Sequence, residues 1–252
     1  MVSCQWFYRF LLLSNGRRTK DNGHPIERLR SIGMSLLTGD NMQAELKIRM
    51  CQVGPWGSNA YALVCSASGR SLLIDPGAEP DTLEQLLAKS TAMAILLTHS
   101  HFDHMGALSE MRKRLKVPLM AHPGTHADDT DLDADRWLSH NSVVKVGNHQ
   151  LKVHHTPGHT DDQISFMIED DHYAIVGDTI FEGGPGKTWS AEGFQTTLKT
   201  LHNVVLSWPD KTICYPGHGP SFRLGDKRKD IEAFLAKDHG AFFGDATWEM
   251  SG

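Results

Sequence analysis

The stretch "AMAILLTHSHFDHMG", residues 92–106, decides the fold. Residues 92–98 form a short apolar run that reads as a buried strand. Directly after it come three histidines and an aspartate within six positions: His99, His101, Asp103 and His104. A surface loop has no need of them, and a core would not tolerate them unpaired. In an extended segment side chains alternate, so His99 and His101 point the same way. Asp103 and His104 follow a bend, and Gly106 lets the chain turn into a helix. One loop can thus offer ligands to two adjacent metal ions.

The strand and helix grammar extends outward from there. Upstream, 44–53, 59–66 and 70–77 read as strands, the last two joined at Ser68-Gly69, and 79–90 as a helix with Asp81 as its cap. Downstream, 106–116 is a helix and 117–123 a strand. The second half repeats the pattern: two strands in 142–158 around Gly147-Asn148, two more in 163–181, a helix over 190–208, a strand in 211–219 and a last helix over 225–238. Strands grouped in each half, with helices between and after them, predict an α+β chain with two sheets packed together and helices outside.

Composition narrows the function. The 252 residues carry a net charge of −5, which leaves no basic footprint for nucleic acid. Fifteen histidines are the one anomaly, and imidazole is the commonest neutral metal ligand. Cys4, Cys51, Cys65 and Cys214 lack C-x-x-C spacing and read as scattered reduced thiols of a cytoplasmic protein, with a Cys51–Cys65 bridge left open. "WFYRFLLL" (6–13) is interrupted by Arg9 and too short to span a bilayer, so no membrane partner is expected. Residues 1–42 are read as an N-terminal extension, with Met34 and Met42 as alternative starts and a targeting signal as the competing reading. Residues 43–252 are read as one domain.

Two ions need further ligands, and three strand-end turns supply candidates: His159 in "HTPGHT" (155–160), Asp178 in "IVGDTIF" (175–181) and His218 in "YPGHGP" (215–220). The other histidines read as surface or structural, His122 and His155 being the nearest to exceptions by proximity in sequence. Together with "THSHFDHMG" and "IDPG" (74–77), these motifs resemble the metallo-β-lactamase superfamily of binuclear hydrolases, in that family's order, over residues 44 to about 224.

The resemblance implies an αββα sandwich of two mixed sheets with the site at one edge. It implies His99, His101 and His159 on one metal, Asp103, His104 and His218 on the other, Asp178 between them, and Asp75 behind a ligand histidine. Zinc is the expected metal, with iron or manganese as alternatives, and two ions would share a hydroxide that attacks a small-molecule ester, lactone, lactam or thioester. Asp103 is the expected catalytic residue, orienting that hydroxide and taking its proton.

Within the superfamily "GDTIF", the glycine-rich loop after it and "YPGHGP" look most like short-form glyoxalase II, the hydroxyacylglutathione hydrolases. That likeness makes Lys187 the candidate contact for a substrate carboxylate. Two departures put glutathione in question: Asp161 and Asp162 follow His159-Thr160, and only about thirty residues follow "GHGP", too few for the helical domain of the long forms. Two other reactions on the same scaffold compete. One is a persulfide dioxygenase with a single iron on His99 or His101, His159 and Asp178. The other is a lactonase or β-lactamase.

Overall fold

The computed structural model describes residues 45–127, 131–168, 170 and 172–251, so the extension at 1–42 lies outside the described residues. Two six-stranded sheets carry the chain. The first has the order β1 (Leu46–Val53), β2 (Ser58–Cys65), β3 (Arg70–Ile74), β4 (Thr91–Leu96), β5 (Leu119–Ala121) and β6 (Arg136–Trp137). The second runs β12 (Phe222–Arg223), β11 (Ile213–Pro216), β10 (Tyr173–Gly177), β9 (Ile164–Ile168), β8 (His149–His155) and β7 (Val143–Val146). The helices are α1 (Pro80–Leu86), α2 (Phe102–Met105), α3 (Leu108–Leu115), α4 (Ala191–Asn203) and α5 (Leu224–Leu235). Among the described residues no helix is long and apolar enough to cross a membrane.

Strand alternation produces the layers. On β2, Tyr61, Leu63 and Cys65 join a core with Leu151, Val153, Phe166 and Ile175 of the opposite sheet. The intervening Ala60, Ala62 and Val64 pack with Leu83 and Leu86 of α1 and Met111 of α3. On the second sheet Phe166 and Ile175 face inward, while Met167, Ala174 and Val176 meet Phe194 and Leu201 of α4 and Ile231 and Phe234 of α5. A strand buried on both faces shows no polar alternation, which is why these segments read as continuous apolar runs. The same alternation settles the cysteine question. Cys51 and Cys65 belong to different cores, and both are buried free thiols.

Both sheets are mixed, and this places the site. The strands β3 and β4 pair in parallel, as do β10 and β11. Parallel neighbours end on the same side. Asp75 follows β3, His99 follows β4, Asp178 follows β10 and His218 follows β11, so all four lie at carboxyl ends of strands, where open α/β sheets gather their ligands.

Local details differ from the sequence reading. Glu79, not Asp81, occupies the position before α1, with Pro80 starting the helix. The Glu79 carboxylate accepts from Gly54 N and Thr82 Oγ1, while Asp81 pairs with Arg114 at 2.7 Å. Pro80 has a fixed φ suited to a first helical position, which moves the cap two residues earlier, from Asp81 to Glu79. The two-residue strands β6 and β12 are too short to carry a periodicity.

Candidate metal centre

Asp75 anchors the site from behind. It is buried and holds a left-handed backbone conformation (φ 53°), which turns its carboxylate back toward β4. There its oxygens accept from Thr98 N at 2.8 Å and Thr98 Oγ1 at 2.7 Å. His104 Nδ1 lies 3.1 Å from Asp75 Oδ2 and must donate to it. Nε2 of His104 is therefore the atom with a free lone pair.

Two more imidazoles are fixed in the same sense. Nδ1 of His159 donates to the Lys187 carbonyl at 2.7 Å. His99 Nδ1 sits 3.0 Å from Thr98 Oγ1, which already donates to Asp75 and so accepts here. Each ring is left with Nε2 aimed inward, the orientation that partners behind a ligand histidine impose.

The seven residues singled out at the strand-end loops converge. Their donor atoms form three groups: His99, His101 and His159; His99, His104 and Asp178; and Asp103, His104 and His218. His101 Nδ1 lies 3.1 Å from His99 Nε2 and 2.9 Å from His159 Nε2. A tetrahedral cation with about 2.05 Å bonds would hold its donors about 3.3 Å apart. Asp178 stands between the two outer groups. Its Oδ1 is 3.5 Å from His104 Nε2, and its Oδ2 is 3.5 Å from His159 Nε2 and 3.6 Å from His218 Nε2.

The donor set fits divalent cations by two independent observations. His104 Nε2 and Asp178 Oδ1 are buried and have no hydrogen-bond partner among the described residues. Buried polar atoms are rarely left so unless an ion or water completes them. The electrostatics agree. Burial alone would push the His104 imidazole down, yet Asp178, Asp75 and Asp103 hold it up at about 9, so their field demands a positive charge there. Burial would raise the Asp103 carboxyl, but the His218 hydrogen bond, His104 and Ser58 hold it well below the usual range. His99, by contrast, is driven well down by burial and by the neighbouring rings, so it stays neutral, as a metal ligand must.

Other residues serve the centre without having been legible. Ser58 Oγ donates to Asp103 Oδ2 at 2.8 Å. Asn59 Nδ2 donates to the carbonyls of Pro216 and Gly219, both at 2.9 Å, and Tyr61 OH to that of Pro216 at 2.5 Å. The start of β2 thereby clamps the loop that presents His218. Lys187 lies in the wall of the cavity in front of the donors, and its Nζ is 3.2 Å from Asp245 Oδ2.

His122 and His155 are in none of the donor groups found among the described residues. They stack on each other, ring centroids 4.1 Å apart and planes 10° apart. Burial, then His155 and His126, pull the half-buried His122 down to about 4. Between that value and its ordinary value near 6.5 the unfolded chain binds more protons at this position, so stability rises with pH. The thermal midpoint is expected to fall as pH drops through this window, and less steeply in His122→Gln. Parallel slopes for the two proteins would mean that the stack does not titrate in this range.

The family model described as Metallo-beta-lactamase superfamily matches residues 53–218. The probable metallo-hydrolase YqgX of Bacillus subtilis (strain 168) is 34% identical over 194 residues, covering 69% of this chain and 91% of that protein. The hydroxyacylglutathione hydrolase GloC of Haemophilus influenzae is 26% identical over 191 residues, covering 67% and 89%. Among solved structures, BLEG-1 B3 metallo-beta-lactamase superposes with a TM-score of 0.67 at 27% identity, over 76% of this chain and all of that one. TTHA1623 in a di-iron-bound form gives 0.61 at 28% identity, over 71% and 96%.

Proposed function

The chain belongs to the metallo-beta-lactamase superfamily, and from that premise we propose that it is a hydrolase working through two divalent cations, zinc first among them, on a thioester. One observation carries the reading: two donor triads lie side by side with Asp178 between them, and the facing atoms His104 Nε2 and Asp178 Oδ1 are buried with no hydrogen-bond partner among the described residues.

His99, His101 and His159 would hold one ion, Asp103, His104 and His218 the other, and Asp178 would touch both. Such ions, when bound, bring water to reactivity near neutral pH and polarise the carbonyl under attack. The chain's own residues do the rest. Asp75 and the Lys187 carbonyl fix the rings so that their lone pairs face inward. Ser58 and His218 hold the Asp103 carboxylate at the cavity, ionised and fixed in orientation. A thiol's ordinary pKa of about 8.5 lets a thiolate depart with little acid assistance, so the scarcity of acids among these donors suits a thioester better than an amide. The likeness to GloC points the same way.

The persulfide dioxygenase reading needs only His99 or His101, His159 and Asp178. The further group of Asp103, His104 and His218, whose donor atoms also lie within 4.8 Å of one another, argues for the hydrolase. Metal analysis of the purified protein is expected to give close to two equivalents per chain, mainly zinc, and a panel of thioesters, lactones and β-lactams to show thioester hydrolysis lost on chelation. One iron per chain, with oxygen uptake on glutathione persulfide, would replace this reading with the dioxygenase.

A further inference from the structure

The cavity in front of the donors encloses about 1400 Å³, and its character is set by aromatic rings. Trp56, Phe102 and Trp189 line it while remaining 65%, 67% and 61% exposed. Large apolar side chains so open to water and grouped around one cleft mark a binding surface. Two rings flank the donors themselves: Trp189 stands 6.2 Å from the His101 ring, and Phe181 stands 6.2 Å from the His218 ring. A carbonyl held at the donors therefore has an aromatic wall on either side.

Outside the donor set, the charges that line the same cavity oppose an anion. Lys187 is the one Lys or Arg among its described lining residues, against Asp161, Glu182 and Asp245 outside the donor set. That lysine is already paired with Asp245, and its Nζ lies 4.9 Å above the Trp189 ring. The N-terminus of α4 reaches the cavity at Ser190 and Gly193, but Ser190 Oγ accepts from Gly193 N and Glu192 occupies the first turn. The helix dipole is thus answered from within the chain.

Building on the thioester reading, we infer that the substrate is an uncharged thioester with an aromatic or bulky apolar arm, and that Trp189, Asp161, Glu182 and Asp245 select it against net-anionic thiols such as glutathione. Trp189 packs the arm. Asp161 and Glu182 repel an anionic leaving group, and Asp245 withholds the Lys187 ammonium from it by pairing with it.

The test uses the metal-replete full chain and two esters of one acyl group, S-phenylacetyl-N-acetylcysteamine and S-phenylacetylglutathione. The neutral ester is expected to show a kcat/KM about tenfold higher, a factor of the size given by one or two unscreened charge contacts. Added salt should raise kcat/KM for the glutathione ester, because it screens repulsion, and leave the neutral ester flat. Trp189→Ala should raise KM for the phenylacetyl ester severalfold more than for the S-acetyl analogue, and Trp189→Phe should restore it. The triple variant Asp161→Asn, Glu182→Gln, Asp245→Asn should shift the ratio severalfold toward glutathione. A glutathione ester that is preferred, with a rate that falls as salt rises, would overturn the inference and return Lys187 to the role of anion contact. Hydrolysis of neither ester would instead remove the thioester reading, and this one with it.

Discussion

Replacing His101 with alanine is expected to lower kcat/KM by on the order of 10³, the scale on which loss of one transition-state stabiliser is felt. The ring sits at the hub of its triad, within 3.1 Å of His99 Nε2 and 2.9 Å of His159 Nε2. Without it two imidazoles remain, fewer than the three protein ligands that catalytic zinc sites keep. The fold should survive. His101 is only partly buried, precedes α2, and belongs to none of the three hydrophobic cores. The measurements are metal content, kcat/KM and a thermal melt on one preparation. Loss of about one metal equivalent and of turnover, with the melt little changed, is the expected pattern. An unaltered rate would make the histidine cluster structural.

Much of this centre was legible because its donor residues obey local rules. His99 and His101 follow from period-two alternation beyond an apolar strand, and Asp178, His159 and His218 from turns at strand ends. What supports them was not legible. Ser58 reaches Asp103 across 45 positions, and Asn59 and Tyr61 reach Pro216 across 157 and 155. No window of sequence contains both ends of such a contact. Trp56, Phe102 and Trp189 were equally silent, since an exposed aromatic gains meaning only from what it stands beside. At the level of elements, long runs such as 59–66 declared themselves. β6 and β12, with two residues each, exist only because a neighbouring strand offers its edge.

Gly217→Ala is expected to act on the centre as severely as loss of a ligand, although residue 217 offers no donor side chain. A Cβ there would lie 2.0 Å from Asp178 Oδ1 and 2.6 Å from His104 Cε1, closer than such atoms can approach. The backbone has no room to retreat. Gly217 N donates to the Gly177 carbonyl at 2.8 Å, and its own carbonyl accepts from Asn59 N at 2.6 Å. The methyl group must therefore displace the Asp178 carboxylate from between the two triads. Metal content should fall, and kcat/KM with it by about 10² or more. Stability should drop by about 1–3 kcal/mol, as for other overpacked sites. Gly219 is the control. It carries φ +72°, so alanine there strains the backbone, but among the described residues nothing lies within 4 Å of its added Cβ. Gly219→Ala should cost a comparable, smaller amount of stability, about 1–2 kcal/mol, and keep its metal. If both variants retain metal and rate alike, Asp178 does not sit between two ions, because the position that would crowd it makes no difference.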